Sequence, residues 1–91
     1  MHYTYILKCS NFKTDKHIFY VGSTSDLRNR VKLHKSKNTI TTKKFDKIEL
    51  IYYETCLNKT DAIRRENQLK TGFGRGYVKR RLDDYFKSLR G

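Results

Sequence analysis

The sequence predicts an α+β fold: a small three-stranded, mostly antiparallel sheet flanked by helices, in the order ββαβαα. Two short runs of β-forming residues lie close together near the N-terminus, which is typical of an antiparallel hairpin. Later segments carry apolar residues at helical spacing, and strands and helices do not alternate as often as a doubly wound parallel sheet requires. The chain has 91 residues, enough for one modest core and too few for two, so residues 1–91 are expected to form a single domain.

The strands are predicted where β-forming residues alternate. In the first strand, alternate residues share one face, namely Tyr3, Tyr5, Leu7 and Cys9. A polar loop separates this strand from its expected hairpin partner, and Gly22 breaks the second run. The predicted strands are Tyr3–Cys9, Ile18–Val21 and Ile48–Glu54.

The helices are predicted from capping residues and apolar spacing. Asn58, with Asp61 three residues later, provides an N-cap for the second helix, which Gly72 is expected to end. The predicted helices are one over about Ser25–Lys37, a second that runs from the Asn58 cap through Lys70, and a last one that carries Val78, Leu82, Tyr85, Phe86 and Leu89.

The first predicted helix carries two polar residues on its apolar side. Leu27 and Val31 define that side, and at about 100° per residue Arg30 and His34 project from it as well. This placement suggests that the stripe borders a functional cleft as well as a core. For His34, a hydrogen-bonded core histidine is the alternative.

Glu66 lies in the apolar stripe of the second predicted helix. That stripe consists of Ala62, Ile63 and Leu69. A carboxylate on a buried face is costly unless a positive group meets it. Two interpretations therefore stay open: a structural salt bridge from Glu66 to Arg30 or Lys70, and a ligand for a divalent metal ion.

Tyr5 and Tyr20 fall on the two strands that a hairpin would place side by side. Gly22 follows Tyr20 and leaves room for a ligand to approach the backbone. Taken alone, the two tyrosines are equally typical of half-buried strand aromatics.

The charge of the chain indicates a polyanionic partner. Lysine and arginine number 21 against nine acidic residues, which gives a net charge of +12. Nucleic acid is the usual partner of such a surplus and an anionic membrane surface the alternative. We expect no membrane partner, because the sequence has no run of about 18 apolar residues and no signal peptide. Cys9 and Cys56 stand far apart without metal-ligand spacing, which favours a reduced, cytoplasmic setting.

Most residues predicted to contact nucleic acid are basic. Lysine and arginine bind phosphates without reading base sequence. The cluster Gly72–Gly76 lacks the ending of a phosphate-binding loop and is predicted to form a flexible turn that presents Arg75 and Phe73. The predicted contact residues are Gly22, Lys43, Lys44, Lys70, Arg75, Lys79 and Arg80.

Several of these residues occur in an order that resembles a known family. The segments "YTYIL", "YVG", "LRNRVKLH" and "AIRRENQLK" are together similar to the GIY-YIG nucleases, especially small bacterial members and the N-terminal domain of the excision-repair incision nuclease. The resemblance covers roughly Tyr3 to Lys70. It implies a metal-dependent endonuclease that hydrolyses DNA phosphodiester bonds with low intrinsic sequence specificity, in a setting such as DNA repair.

The resemblance also implies roles for five residues. Tyr5 and Tyr20 would orient or deprotonate the attacking water, without a preference between them. Arg30 would grip the phosphate, and His34 would share proton transfer or hold phosphate. Glu66 would bind one Mg²⁺ or Mn²⁺ ion.

Departures from the family pattern leave rival functions open. In the segment "YTYIL", Thr4 stands where the family pattern has isoleucine, and residues 77–89 contain no match for an asparagine that many family enzymes carry. The first rival is a DNA- or RNA-binding module on the same fold with little or no cleavage. The second is a small RNA- or ribosome-associated basic protein. DNA is the expected partner in preference to RNA, a partner protein would supply any further specificity, and the sequence gives no oligomeric state.

Overall fold

The computed structural model of the chain describes residues 1–14, 16–36 and 42–89. Within these ranges it has a three-stranded antiparallel sheet and four helices, which confirms the predicted α+β class. The elements are β1 (His2–Ser10), β2 (His17–Thr24), α1 (Leu27–Lys35), β3 (Lys47–Cys56), α2 (Lys59–Leu69), α3 (Gly72–Arg81) and α4 (Asp83–Leu89). The strand order is β2-β1-β3, so the first strand is the central one.

Both faces of β1 are buried, because helices cover the sheet on both sides. The cluster on one face comprises Tyr5, Leu7, Cys9, Phe45 and Ile48, and the cluster on the other comprises Ile6, Leu69 and Val78. Helix α1 packs on the first cluster, whereas α2 and α3 contribute to the second. A bulge in β3 at Ile51 leaves this residue without a partner in β1, between the Ile6 and Leu7 pairs.

Local capping fixes where α1 and α2 begin. The side chain of Asp26 accepts a hydrogen bond from the Asn29 amide at 3.1 Å, so α1 begins slightly later than predicted. The predicted cap of α2 is confirmed, since Asn58 accepts from the Thr60 amide at 2.8 Å. The hydroxyl of Thr4, which is buried in β1, donates to the carbonyl of Ala62 at 2.8 Å and thereby fastens α2 to the sheet.

The prediction of a flexible turn at Gly72–Gly76 is wrong, because these glycines form the first half of α3. The hydroxyl of Thr71 caps this helix by accepting from the Gly74 amide at 3.2 Å. Gly74 packs directly against the backbone of Gln68 and Leu69, where any Cβ would collide. Arg75 therefore projects from a helix instead of a loop.

Two further boundaries and the buried face of one helix differ from the prediction. The single last helix is divided at Leu82 into α3 and α4, which changes the order to ββαβααα. Gly22 does not end β2, because the strand continues to Thr24 through pairing with β1. Ile63 is exposed, so the buried face of α2 rests on Ala62 and Leu69 alone.

An ion-pair network that the sequence did not reveal ties β3 to α2. The guanidinium of Arg65 donates two hydrogen bonds of 2.9 Å to the carboxylate of Glu54. The hydroxyl of Tyr52 donates to the same carboxylate at 2.6 Å, and the Arg65 guanidinium lies 4.5 Å from the ring centre of Tyr77. None of the helices in the described part of the chain is long and apolar enough to cross a bilayer.

Candidate active site

Tyr5 and Tyr20 lie beside each other on the sheet, as the hairpin predicts. Their ring centres are 6.3 Å apart, and Tyr5 is fully buried while Tyr20 is half-buried. Gly22 is the cross-strand partner of Tyr5. The space left by its missing Cβ is filled by the Tyr5 hydroxyl and is not open to a ligand, because Gly22 itself is buried.

His34 projects from α1 into the core and contacts both tyrosines. Its Nε2 atom lies 3.1 Å from the Tyr5 hydroxyl oxygen, and its ring centre lies 5.0 Å from that of Tyr20. Its Nδ1 atom lies 2.8 Å from the hydroxyl oxygen of Thr42. Thr42 has no exposed surface, and sequence reasoning missed it because it sits in a Thr/Lys-rich connection without periodicity.

Arg30 lies one turn before His34 on α1 but is exposed, so of the two polar residues only His34 is buried. Burial, with the nearby positive charge of Arg30, lowers the pKa of His34 and favours the neutral imidazole. Burial and the neighbouring Tyr20 raise the pKa of Tyr5 far above its ordinary value, which the charge of Arg30 opposes. Arg30 therefore acts electrostatically on two groups of the cluster from its rim.

Glu66 is partly buried and has a partner. One of its carboxylate oxygens accepts from the Lys70 ammonium at 2.6 Å, one helical turn later on α2. Of the two salt-bridge partners considered from the sequence, the described structure contains the pair with Lys70. The negative charge of Glu66 also reaches Tyr5 and raises its pKa, so the carboxylate lies near the tyrosine cluster.

In the cluster around Tyr5, the carboxylate of Glu66 is the group that could bind a metal ion. Within residues 1–14, 16–36 and 42–89, no group of three or more histidine, cysteine or acidic side chains could enclose a metal. Mg²⁺ fits a site of this kind, because it keeps several waters and needs only one or two carboxylates together with substrate phosphate. The donor chemistry of Glu66 therefore fits such an ion, in competition with Lys70.

Apart from Gly22, which is buried, the predicted nucleic-acid contacts fall into three places. Lys43 and Lys44 follow Thr42 directly and are exposed beside the buried His34 contact. Arg80 is exposed on α3. Three others line a groove of about 990 Å³ between β2 and the C-terminal helices, whose floor is apolar and includes Phe19 and Phe86 in edge-to-face contact. These three are Lys70, Arg75 and Lys79, and Tyr20 lines the same groove.

The structure thus brings the other four predicted catalytic residues near Tyr5. Tyr20 and His34 contact it, and the charges of Arg30 and Glu66 act on it. A family model described as the GIY-YIG catalytic domain matches residues 1–81. The chain belongs to the GIY-YIG family. This is a nuclease-type family whose nucleases generally use divalent metal ions and bind DNA.

Relatives within the GIY-YIG family include several proteins named only as UPF0213. One from Bacillus pumilus strain SAFR-032 is 31% identical over 90 residues, which cover 98% of this chain and 82% of the relative. One from Staphylococcus epidermidis is 35% identical over 71 residues, covering 77% and 80%. One from Oceanobacillus iheyensis is 30% identical over 70 residues, covering 76% of each. No solved structure matches the chain.

Proposed function

We propose that this chain is a metal-dependent DNA endonuclease with one active site, formed by residues 1–91 as a single domain. The observation that carries the proposal is the cluster in which Tyr5, Tyr20 and His34 contact one another while the charges of Arg30 and Glu66 act on Tyr5. We include a cytoplasmic setting in the proposal, because both cysteines are free thiols.

Phosphodiester hydrolysis needs an oriented water, a group that offsets charge on the phosphate, and help for the leaving oxygen. Tyr5 and Tyr20 supply adjacent hydroxyls that can hold the water. Arg30 is a permanent planar cation at the exposed rim of the cluster, so a phosphate can reach it from solvent and its charge favours the transition state. His34 holds the Tyr5 hydroxyl from the buried side.

Glu66 would hold one Mg²⁺ or Mn²⁺ ion. Bound there, the ion supplies Lewis-acid stabilisation of the phosphate and the leaving oxygen. To hold the ion, the Glu66 carboxylate would have to give up its ion pair with the Lys70 ammonium. Lys70 is about half exposed, so it is free to turn towards a DNA phosphate when this happens.

DNA would lie across the groove that Tyr20 shares with Lys70, Arg75 and Lys79, with further phosphate contacts from Lys43, Lys44 and Arg80. These cations neutralise phosphates but do not read bases, so the proposed sequence specificity is low. A partner protein would have to provide any specificity beyond this.

A second candidate is a binding module that does not cleave, and the ion pair between Glu66 and Lys70 favours it. In that case Glu66 only forms a salt bridge with Lys70 on α2, and the groove lined by Lys70, Arg75 and Lys79 serves only to bind nucleic acid. An RNA-binding variant of this candidate predicts that structured RNA displaces DNA in competition.

The test is nicking of supercoiled plasmid by the purified chain with Mg²⁺, with Mn²⁺ and with chelator. Under the proposal, Glu66→Gln abolishes metal-dependent nicking, since the amide keeps the shape but loses the charge that recruits the ion. Asp61→Asn on the same helix is the matched control, because Asp61 is exposed and pairs only with Arg64 in the described structure. Nicking that is absent from the parent, or equal in Glu66→Gln, would leave the binding module as the function.

A further inference from the structure

The groove between β2 and the C-terminal helices has more apolar surface than phosphate binding needs. Its floor includes Ile18 and Phe19, each 42% exposed, and Leu89, which is 48% exposed. Exposed apolar side chains gathered in one place are typical of a binding surface. The groove has a volume of about 990 Å³, at the upper end of the range of about 300–1,000 Å³ in which ligand pockets fall. It therefore has room for a flat ring system.

The ring of Phe19 is held in place while part of it stays exposed. Its centre lies 5.7 Å from that of Phe86 on α4 and 5.2 Å from that of His17, and both contacts are edge-to-face. A ring that is already fixed by its neighbours loses little freedom when another ring packs against its exposed part. Phe19 is therefore suited to receive a planar aromatic group.

Cations surround this apolar floor. Lys70, Arg75 and Lys79 line the groove, and none of the described residues that line it is acidic. A ligand that matches both features is an anion with flat apolar faces. The groove also extends to Tyr20, whose ring centre is 6.3 Å from that of Tyr5 in the candidate active site.

A double helix would use only the cations of this surface. Its bases are stacked inside, so it presents phosphates and the polar edges of base pairs to a protein. In an unpaired strand the faces of the bases are free to stack on aromatic side chains, while the phosphates still bind lysine and arginine. Because the groove is continuous with the tyrosine cluster, an unpaired strand matches it better than an acidic peptide does.

We propose that the groove binds unpaired nucleotides, with one base stacked on Phe19 and the neighbouring phosphates on Lys70, Arg75 and Lys79. The occupant is a single-stranded segment of DNA, and the choice of DNA rests on the proposed nuclease function. The groove leads this segment past Tyr20, so cleavage takes place beside unpaired nucleotides.

The first test uses the absence of tryptophan from the chain. Phe19→Trp places a single fluorophore on the floor of the groove, and Phe12→Trp is the control, because Phe12 is 78% exposed and does not line the groove. With chelator present to prevent cleavage, oligo(dT) of about 12 nucleotides should quench the fluorescence of Phe19→Trp by stacking. The fluorescence of Phe12→Trp should change little. Equal quenching of both variants, or none of Phe19→Trp, overturns the inference.

The second test separates stacking from apolar packing. Phe19→Leu keeps an apolar side chain without the ring, so its affinity for oligo(dT) should fall about 10-fold while its affinity for a duplex of the same length stays the same. Phe19→Trp should retain the single-strand affinity, and Phe12→Leu should change neither affinity. Fluorescence anisotropy measures both. An equal loss for the two forms of DNA, or no loss for the single strand, overturns the inference.

Further arms of the same experiment identify other occupants. Tighter binding of oligo(U) than of oligo(dT) would overturn the choice of DNA. Quenching of Phe19→Trp by an acidic copolymer of glutamate and tyrosine, but not by oligo(dT), would assign the groove to an acidic protein. A fluorescence change with protein concentration alone would assign it to a second copy of the chain.

The outcomes also separate this inference from the proposed function. A parent chain that binds oligo(dT) through Phe19 but does not nick DNA would remove the endonuclease function while the unpaired-strand groove stands. A parent chain that nicks DNA, with single-strand affinity unaffected by Phe19→Leu, would do the reverse.

Discussion

The ring of Tyr5 lies so close over the backbone of Gly22 that a Cβ at residue 22 would come within 2.5 Å of the Tyr5 hydroxyl oxygen. The two residues are direct partners across β1 and β2. The glycine is therefore what allows this hydroxyl to reach Nε2 of His34. In this chain the glycine of the segment "YVG" therefore makes room for Tyr5 of the segment "YTYIL".

Gly22→Ala should displace Tyr5 and disturb the whole cluster. We expect a loss of about 1–3 kcal/mol in the free energy of unfolding, as for an overpacked core, together with loss of nicking. Urea denaturation and plasmid nicking measure the two effects. Gly72→Ala is the matched control, since nothing lies within 4 Å of a Cβ there. Equal stability and nicking for both variants would show that the Tyr5 position is not critical.

Glu66→Gln should barely change stability. The partner Lys70 is about half exposed, and exposed ion pairs contribute about 0–1 kcal/mol. Glu54→Gln is the comparison, because Glu54 accepts from Arg65 and Tyr52 in a less exposed place and its loss should cost about 1.5–3 kcal/mol. Urea denaturation of both variants measures the difference. A loss for Glu66→Gln as large as that for Glu54→Gln would make Glu66 a structural residue.

Lys70→Gln should change metal and DNA affinity in opposite directions. Removing the ammonium frees the Glu66 carboxylate, so Mn²⁺ should bind up to about 5-fold more tightly, while DNA should bind less tightly because one phosphate contact is lost. Calorimetry with Mn²⁺ and fluorescence anisotropy with DNA provide the two affinities. Lys87→Gln, which breaks a similar i,i+4 pair with Asp83 on α4, should alter neither. Unchanged Mn²⁺ affinity in Lys70→Gln would remove Glu66 as the ligand.

DNA affinity should fall steeply with salt. If about six phosphates are neutralised, the affinity decreases roughly 10³-fold between 50 and 200 mM salt. Replacing both Arg75 and Lys79, which line the groove, by Gln should make the negative slope of log K against log salt shallower by about 1.8. A flat salt titration would exclude phosphate contacts as the source of binding.

The sequence predicted those parts of the fold that local signals encode. The cap at Asn58 and the hairpin that sets Tyr5 and Tyr20 on adjacent strands depend on neighbouring residue types, and the structure has them as predicted. The turn expected at Gly72–Gly76 is helical instead, because the Thr71 cap and the close approach of Gly74 to α2 outweigh the low helix propensity of glycine.

Contacts between distant segments were beyond sequence reasoning. The hydrogen bond between Thr42 and His34 links residues on either side of a connection without periodicity, and the pair of Glu54 with Arg65 joins a strand to a helix. Charge type alone could not choose between Arg30 and Lys70 as the partner of Glu66, since that depends on how α1 and α2 are placed. The catalytic roles of the clustered residues stay predictions.

The buried imidazole of His34 should make stability depend on pH between about 5.5 and 7.5. Burial and the charge of Arg30 lower its pKa in the folded state from the ordinary value of 6.5. As the pH falls through this range, the unfolded chain therefore binds more protons than the folded chain. The free energy of unfolding should then decrease below pH 6.5, by at most about 1.4 kcal/mol per pH unit. Glu54 does not interfere: although burial acts to raise its pKa, hydrogen bonds from Arg65 and Tyr52 hold it below 4.5.

Urea denaturation at pH 7.5, 6.5 and 5.5 measures the effect. His34→Gln should abolish this pH dependence, whereas His17→Gln, at an exposed residue of β2, should retain it. A pH dependence that survives in His34→Gln would assign the proton uptake to another group.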